Sequence, residues 1–293
     1  MSSVVLTLVA MVAFTANSLL CRLALADGLI DPLLFTTIRL GSGALFLGLW
    51  LMFRRSPRLD REQSQAEGSW QGALTLVIYA LPFSFAYVSL TTATGALLLF
   101  GAVQLTMVGA GLIAGERPSA LGWVGLLGAI GGVVYLLFPG LAAPDPLGAC
   151  LMIASGVGWG LYSIIGKRGG DPFANTSANF IRAAAVLVPL AGAFMVIVAV
   201  TSDESLNVKL FGVGLALTSG VVTSALGYAI WYRALQSLSA TRAALVQLSV
   251  PVIAAALGFV FLAEPITLRI GIAAAIVLTS IAIGVLSRRS AST

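Results

Sequence analysis

The sequence predicts an all-α polytopic membrane protein with ten transmembrane helices, arranged as two inverted five-helix repeats with both termini in the cytoplasm. Three observations support this fold class. The chain of 293 residues is 59% hydrophobic and only 9% charged, whereas soluble domains carry roughly 25% charged residues. Its apolar runs are long enough to cross a bilayer. Short patterns of the first half also recur, in the same order, in the second half.

Apolar runs bounded by charges, proline or glycine define the ten spans. A transmembrane helix needs about 20 mostly apolar residues, so ten of them leave room only for short connections and none for a soluble catalytic domain. The first run is expected to stay in the protein as a helix, because no Lys or Arg precedes it and Asn17 interrupts it, unlike a signal peptide. The spans cover approximately residues 3–24, 33–53, 71–90, 95–114, 119–138, 147–166, 173–200, 210–231, 243–262 and 268–287.

The second half of the chain repeats the first at offsets of 140–148 residues. FTANSLLCR at 14–22 matches WGLYSIIGK at 159–167, with an aromatic residue, a serine, two aliphatic residues and a terminal cation in equivalent places. Further matches are Asp31-Pro32 with Asp171-Pro172, Ile38-Arg39 with Ile181-Arg182, Thr94 with Thr241, and Glu116 with Glu264. Ordered matches of this kind predict a duplicated unit, with one copy over residues 1–140 and the other over residues 146–293.

The orientation follows from the odd number of helices in each copy. Two successive five-helix units must cross the membrane in opposite directions, as in inverted-repeat transporters. If the N-terminus is inside, eleven of the sixteen Lys and Arg residues lie in the inner connections or at the inner helix ends. This excess is the usual mark of the cytoplasmic side, and it places both termini there.

Several kinds of chemistry are excluded or disfavoured by residues that the chain lacks. It has no histidine, which removes the commonest metal ligand and the usual proton shuttle at neutral pH. Cys21 and Cys150 lie in apolar surroundings, and two cysteines alone do not build a metal site. A phosphate-binding loop fails because Arg168, not Ser or Thr, follows Lys167. We therefore expect no enzyme, no cofactor, no metal and no nucleic-acid partner.

Polar and aromatic side chains near the middle of several spans form the candidate site. A polar side chain in hydrocarbon costs free energy unless a partner satisfies it, so each one either binds a neighbouring helix or faces a cavity. Phe14 and Asn17 are three residues apart and share a helix face, as do Trp159 and Tyr162. Two faces related by an inverted repeat would meet across a central cavity. The expected substrate-binding residues are Phe14, Asn17, Tyr79, Gln104, Trp159, Tyr162, Ser224, Tyr228 and Gln247.

Proline and glycine predict local backbone features. Pro82 and Pro251 lie near the middle of the third and ninth spans, where each removes a helical hydrogen bond and produces a static bend or a hinge. Small residues four apart allow helices to approach closely. The GxxxG pairs are Gly111 with Gly115, Gly128 with Gly132, and Gly156 with Gly160.

The charged residues inside or at the ends of spans are expected to have structural roles. Arg39 is only a few residues into its span, so its side chain should reach the membrane surface. Its repeat mate is Arg182. Glu116 and Glu264 close the fourth and ninth spans, where a carboxylate would act as a cap or form an ion pair at the interface.

Taken together, these residues resemble the drug/metabolite transporter superfamily, specifically its ten-helix EamA-type exporters. The features that carry the resemblance are the duplicated five-helix unit, the Ile-Arg in the second helix of each half, and the Glu that closes the fourth. Within that group the chain is most similar to the YddG-type bacterial aromatic amino-acid exporters. It departs from strict repetition where Pro265 follows Glu264 directly, whereas Arg117 separates Glu116 from Pro118. The resemblance implies a central cavity, alternating access and a multi-pass location in the bacterial inner membrane.

The expected function is export of amino acids, aromatic and other neutral ones, and of related small metabolites. Asn17, Gln104 and Gln247 would bind the polar end of the cargo, and a neutral cavity would suit a zwitterion better than a phosphorylated anion. Because no carboxylate or histidine lies at membrane depth, we expect facilitated transport without proton or sodium coupling. The alternatives are a multidrug or other metabolite exporter of the same superfamily, a membrane-embedded enzyme subunit, and a channel. The chain is expected to be a monomer whose partners are a small-molecule substrate and membrane lipid.

Overall fold

The computed structural model of the protein describes residues 3–54, 68–113, 115, 119–140, 143–166, 171–201, 207–238, 243 and 246–287. Helices make up most of these ranges, in which β-structure is limited to one antiparallel bridge between Ile30 and Val208. The helices are α1 (Ser3–Leu25), α2 (Pro32–Arg54), α3 (Trp70–Ser89), α4 (Thr92–Ile113), α5 (Ala120–Leu137), α6 (Pro146–Gly166), α7 (Pro172–Thr201), α8 (Leu210–Leu235), α9 (Ser249–Leu262) and α10 (Leu268–Ser287).

Helix length and composition confirm the all-helical, multi-pass membrane fold. Among the described residues, eight helices, α1 to α8, are long and apolar enough to cross a membrane. The apolar helix α9 has only 14 residues, which gives a length of about 21 Å at the usual rise per residue. The predicted count of ten crossings therefore stays a prediction. Large apolar side chains such as Met52, Phe53 and Leu268 point outward and are more than 70% exposed, which suits a surface in contact with lipid rather than water.

Aspartate residues cap the starts of α2 and α7. Asp31 Oδ1 accepts hydrogen bonds from the backbone N–H groups of Leu33 (2.8 Å) and Leu34 (3.3 Å) at the start of α2. Asp171 Oδ1 does the same at the start of α7, with Phe173 (2.7 Å) and Ala174 (3.1 Å). In both cases proline is the first helical residue, where its missing N–H and restricted φ are favourable. The recurrent Asp-Pro pair is thus the same helix start used twice.

Glycine residues bring helices from the two halves of the chain into close contact. A Cβ added at Gly132 would lie 2.7 Å from Val277 Cγ2 on α10, and one added at Gly156 would lie 2.5 Å from the Leu99 carbonyl oxygen on α4. Close packing is therefore confirmed for these two GxxxG pairs. The third pair differs, because Gly115 follows the end of α4 with a φ of +88° and open space around it.

The two halves are interleaved rather than side by side. The most extensive helix contacts are those of α5 with α10, of α3 and α4 with α6, and of α2 with α7. Each of these pairs joins a helix that precedes residue 140 to one that follows residue 146. Any large motion must therefore move groups of helices drawn from both halves.

Polar contacts join the halves at both ends of the bundle. At the end where α1 finishes, here the Leu25 face, Arg22 Nε donates to Glu264 Oε1 at 2.9 Å and Glu264 Oε2 accepts from the Thr92 N–H at 2.8 Å. The ion pair predicted for Glu264 is confirmed, and its repeat mate Glu116 lies outside the described residues. At the opposite end, here the Ser3 face, Asn175 Oδ1 accepts from the Gly68 N–H at 2.8 Å.

Candidate substrate site

Aromatic side chains from α1, α3, α6 and α8 meet in the middle of the bundle. The ring centroid of Trp159 lies 4.7 Å from that of Tyr228, 5.0 Å from Tyr79 and 5.3 Å from Phe14. Tyr162 joins them, 5.7 Å from Trp159 and 6.5 Å from Tyr228. All five residues, here the aromatic cluster, are buried. In this conformation their rings contact one another and fill the centre of the bundle.

Asn17 is bonded at both ends of its amide. Its Nδ2 donates to the Tyr79 hydroxyl at 3.3 Å. Its Oδ1 accepts from Ser219 Oγ (2.7 Å), Thr223 Oγ1 (3.1 Å) and Ser224 Oγ (3.4 Å). Of the two roles open to a polar residue at membrane depth, Asn17 therefore has the first in this conformation, since it joins α1 to α3 and α8.

A π-helical segment in the middle of α8 brings the three hydroxyl groups to Asn17. Residues Ser219–Leu226 form the wider turns of a π-helix between two α-helical segments. Within this segment a side chain at Gly220 would collide with Ser42 and with the carbonyl of Arg39, so α2 and α8 approach closely there. π-Helical turns inside α-helices are rare and often occur at functional sites.

Arg39 lies within this polar centre and is completely buried. Its Nε donates to Ser224 Oγ at 2.8 Å, and its Nη2 donates to the hydroxyls of Tyr228 (2.5 Å) and Tyr79 (3.0 Å). Its guanidinium carbon also lies 5.2 Å from the ring centroid of Phe83 and 5.3 Å from that of Tyr79, which is within the range of cation–π attraction.

The prediction that Arg39 reaches the membrane surface is therefore wrong. Hydroxyl groups and aromatic faces from α3 and α8 surround the guanidinium and take the place of water. Arg182, which the predicted repeat aligns with Arg39, is partly exposed and reaches the Ser3 face, where a Cβ at Gly68 would lie 2.7 Å from its Nη1. The two arginines that the predicted repeat aligns thus have different environments.

Arg39 also changes the expected charge of the site. The described residues that contact Arg39 are Ser224, Tyr79, Tyr228 and Phe83, none of which carries a formal charge. The centre is consequently cationic and not neutral as the sequence predicted. Arg39 Nη1 and Trp159 Nε1, both buried, find no hydrogen-bond partner among the described residues.

Two of the nine predicted site residues are described by other contacts. Gln104 on α4 lines a small cavity together with Gly125 and Ser280, between α4, α5 and α10. Gln247 donates from Nε2 to the Ala243 carbonyl at 3.2 Å, a bond within its own chain segment. The structure brings the other seven together: Phe14, Asn17, Tyr79, Trp159, Tyr162, Ser224 and Tyr228.

The two predicted hinge prolines have different settings. Pro82 lies inside α3, three residues after Tyr79. Pro251 is the third residue of α9, and Leu248 just before that helix is in a turn. The expectation that Pro251 lies mid-helix was wrong. Proline has no backbone N–H, so Pro251 cannot donate the helical hydrogen bond to the Gln247 carbonyl, and the helix is interrupted at that point.

Residue-by-residue reading of the sequence missed Arg39, Ser219 and Thr223 as members of this site. A signal for Arg39 was available in the sequence, because a cation within a membrane span is costly unless polar groups of other spans lie at the same depth. Ser219 and Thr223 carried a weaker signal, because both small hydroxyl residues precede Ser224 at helical spacing. Their convergence on Asn17 depends on the π-helical turns, which no sequence motif predicts.

Known proteins resemble this chain over most or all of its length. The profile of the EamA-like transporter family matches residues 1–138 and 146–286. An uncharacterized protein of Pseudomonas aeruginosa is 48% identical, covering 96% of this chain and 93% of its own. An uncharacterized transporter of Archaeoglobus fulgidus is 30% identical over 59% of this chain and 60% of its own. A crystal structure aligns over the whole of both chains with a TM-score of 0.62 at 19% identity, a likeness of fold alone.

Proposed function

The chain belongs to the EamA-like transporter family, and from that premise we propose that it is a secondary transporter that exports amino acids across the bacterial inner membrane. The proposed cargo is aromatic and other neutral amino acids and related small metabolites, as in the YddG-type exporters that the sequence resembles. The proposed architecture is ten crossings in two inverted repeats, over residues 1–140 and 146–293, with both termini in the cytoplasm and a monomer as the working unit.

One observation carries the proposal: a buried cluster of polar and aromatic side chains is assembled from helices of both halves. The aromatic cluster offers apolar faces to an amino-acid side chain. Asn17, Ser224 and Arg39 offer hydrogen-bonding groups to its polar end, at the depth where transporters with inverted repeats hold their cargo. Packing alone would not require an arginine there, because burying a charge is costly.

Alternating access would use the contacts at the two faces in turn. The Arg22–Glu264 pair would separate when the Leu25 face opens, and the Asn175–Gly68 contact would separate when the Ser3 face opens. Pro82 would serve as a bending point within α3, and Pro251 as one at the start of α9. Because the halves are interleaved, the moving groups would each contain helices from both repeats.

The proposed transport is facilitated, down the gradient of the cargo itself. Proton- and sodium-driven carriers commonly hold a carboxylate or histidine at membrane depth. Among the described residues no Asp or Glu contacts the aromatic cluster, and the whole chain has no histidine. The cargo gradient is then the natural source of free energy.

Counterflow in proteoliposomes tests the proposal. The purified protein is reconstituted, the vesicles are loaded with each of the twenty amino acids in turn, and uptake of the same labelled amino acid is followed without a pH gradient or a voltage. We expect exchange of a subset that includes aromatic ones. A strict requirement for a proton gradient would contradict facilitation. Exchange of drugs but of no amino acid would favour the multidrug alternative, and flux without counterflow would indicate a channel.

A further inference from the structure

We propose that Arg39 binds a carboxylate of the transported molecule, so that the cargo belongs to the class of carboxylates and not to that of amines or uncharged solutes. The inference rests on the proposed transport function and adds the group by which the cargo is recognised. It concerns one atom group in particular, Nη1 of the guanidinium, which has no partner among the described residues.

Only some of the N–H groups of the Arg39 guanidinium have hydrogen-bond partners among the described residues. An arginine side chain has five N–H donors and no acceptor. Nε and Nη2 bond to Ser224, Tyr228 and Tyr79, whereas Nη1, which carries two of the five N–H groups, has no partner in the described part of the chain. A fully buried cation with unpartnered donors and no counter-ion is unfavourable unless something supplies the missing charge.

The surroundings hold an excess of donors over acceptors. The Tyr79 hydroxyl oxygen lies within hydrogen-bond distance of three donors, namely Arg39 Nη2, Tyr228 OH and Asn17 Nδ2. Asn17 Oδ1 likewise receives three hydroxyl groups. Trp159 Nε1, in the same aromatic cluster, is a further donor without an acceptor among the described residues. The group that would complete such a site is one that only accepts hydrogen bonds.

A carboxylate fits this description better than other anions. Its two oxygens accept about four hydrogen bonds and match the planar fork of arginine in a bidentate pair. A phosphate dianion would need more than one cation for its charge, and Arg39 is the only Lys or Arg that the structure places against the aromatic cluster within the described ranges. A free amine would meet a cation of its own sign.

Binding of a carboxylate would change the hydrogen-bond partners of Arg39. Because the rings of Trp159, Tyr79 and Tyr228 are in contact, cargo enters only as they move apart. The carboxylate oxygens would then take Nη1 and displace the Tyr79 and Tyr228 hydroxyls from Nη2. The hydroxyls thus hold the guanidinium in place while the site is empty.

Wild-type protein with matched ligands gives the first test. One series is L-phenylalanine, 3-phenylpropionate and 2-phenylethylamine, which share a ring but differ in their charged groups; the other is L-leucine, 4-methylpentanoate and 3-methylbutylamine. We expect the acids of at least one series to raise the Tm of the detergent-purified protein and to exchange in proteoliposomes, and the amines to do neither. Amines as effective as acids, or no Tm increase with any acid, would overturn the proposal.

Variants give the second test. We expect Arg39→Gln to weaken acid binding by roughly 10- to 100-fold, the range for hydrogen bonds to charged groups, and Arg39→Lys to restore part of it by returning the charge without the fork. Arg182→Gln is the matched control and should bind acids as the wild type does. If Arg39→Gln does not fold, Arg39→Lys and the wild-type series decide. Equal acid binding by Arg39→Gln and wild type would overturn the proposal.

The two proposals fail in different ways. If acids raise the Tm only when Arg39 is present but no compound exchanges in vesicles, the carboxylate site stands and the transport function fails. If amines and uncharged analogues exchange as well as acids, transport stands and the assignment of Arg39 is wrong.

Discussion

At the scale of single residues, the sequence predicted a substrate-binding role for Asn17 and a surface position for Arg39. Asn17 is satisfied by Tyr79 and by three hydroxyls of α8, so it joins helices. Arg39 is buried, with Nη1 unpartnered within the described chain. Depth along a helix decides neither outcome, because what matters is which groups of other helices reach the same point.

Removal of the Asn17 amide is expected to lower stability and exchange together. Asn17→Ala leaves the hydroxyls of Ser219, Thr223 and Ser224 without their shared acceptor, and we expect a loss of about 1–3 kcal/mol in unfolding free energy and slower counterflow. Thr15→Val is the control, since Thr15 is buried on the same helix but donates only to the Met11 carbonyl. Wild-type stability in Asn17→Ala would contradict the hydrogen-bond network.

Truncation of Trp159 is expected to separate transport from folding. Trp159 contacts Phe14, Tyr79 and Tyr228, so Trp159→Ala removes the centre of the aromatic cluster. We expect a folded, monodisperse protein in detergent with counterflow reduced by about tenfold or more, because apolar contact with the cargo is lost. Unchanged transport in this variant would remove Trp159 from the proposed site.

At the scale of helices, close approach and local irregularity position the site. Gly158 on α6 lets the backbone of α3 come near, just at Tyr79, since an added Cβ would lie 2.6 Å from the Tyr79 backbone nitrogen. The π-helical segment of α8 then turns three hydroxyls toward Asn17. Gly158 and the π-helical segment thus set the positions of the Tyr79 and α8 hydroxyl groups in the site.

Methyl groups added at two glycines should have different effects. Gly158→Ala pushes α6 away from α3, so we expect a loss of about 1–3 kcal/mol in unfolding free energy and slower transport. Gly192→Ala on α7 meets nothing within 4 Å, and it should leave the Tm and transport unchanged or slightly raise the Tm. Thermal unfolding in detergent measures both variants. Equal Tm values would show that α3 and α6 are not in close contact at Gly158.

At the scale of the whole molecule, polar contacts close the bundle at two opposite faces. The Arg22–Glu264 pair ties α1 to the connection between α9 and α10, and Arg22 Nη1 also donates to the carbonyls of Tyr87 and Val88 at 2.9 Å each. Asn175 ties α7 to the start of α3 at the other face. A carrier that alternates must weaken one set while it keeps the other.

Loss of the Glu264 charge is expected to open the Leu25 face. Cys21, next to Arg22, is fully buried, whereas Cys150 is exposed. In a Cys150→Ser background, Glu264→Gln should therefore increase labelling of Cys21 by a water-soluble maleimide several-fold. Asp27→Asn removes an exposed carboxylate near that face and is the control. Equal labelling of Cys21 in wild type and Glu264→Gln would show that this pair does not hold the face closed.

The sequence by itself determined the membrane class, most helix limits and much of the candidate site. Apolar runs report burial in lipid directly, and Asp-Pro pairs mark helix starts because capping is local. Seven of the nine proposed site residues converge because the aromatic and polar residues of different spans lie at similar depths.

Only the tertiary structure decided that Arg39 and not Arg182 is buried, that α8 contains π-helical turns, and that α9 begins at Ser249. It also placed Gln104 beside a small cavity between α4, α5 and α10, and it gave Gln247 a hydrogen bond to the Ala243 carbonyl. Each of these outcomes depends on groups that are distant in the chain. The hydroxyls that hold Arg39 come from α3 and α8, and neither the charge nor the position of Arg39 distinguishes it from Arg182.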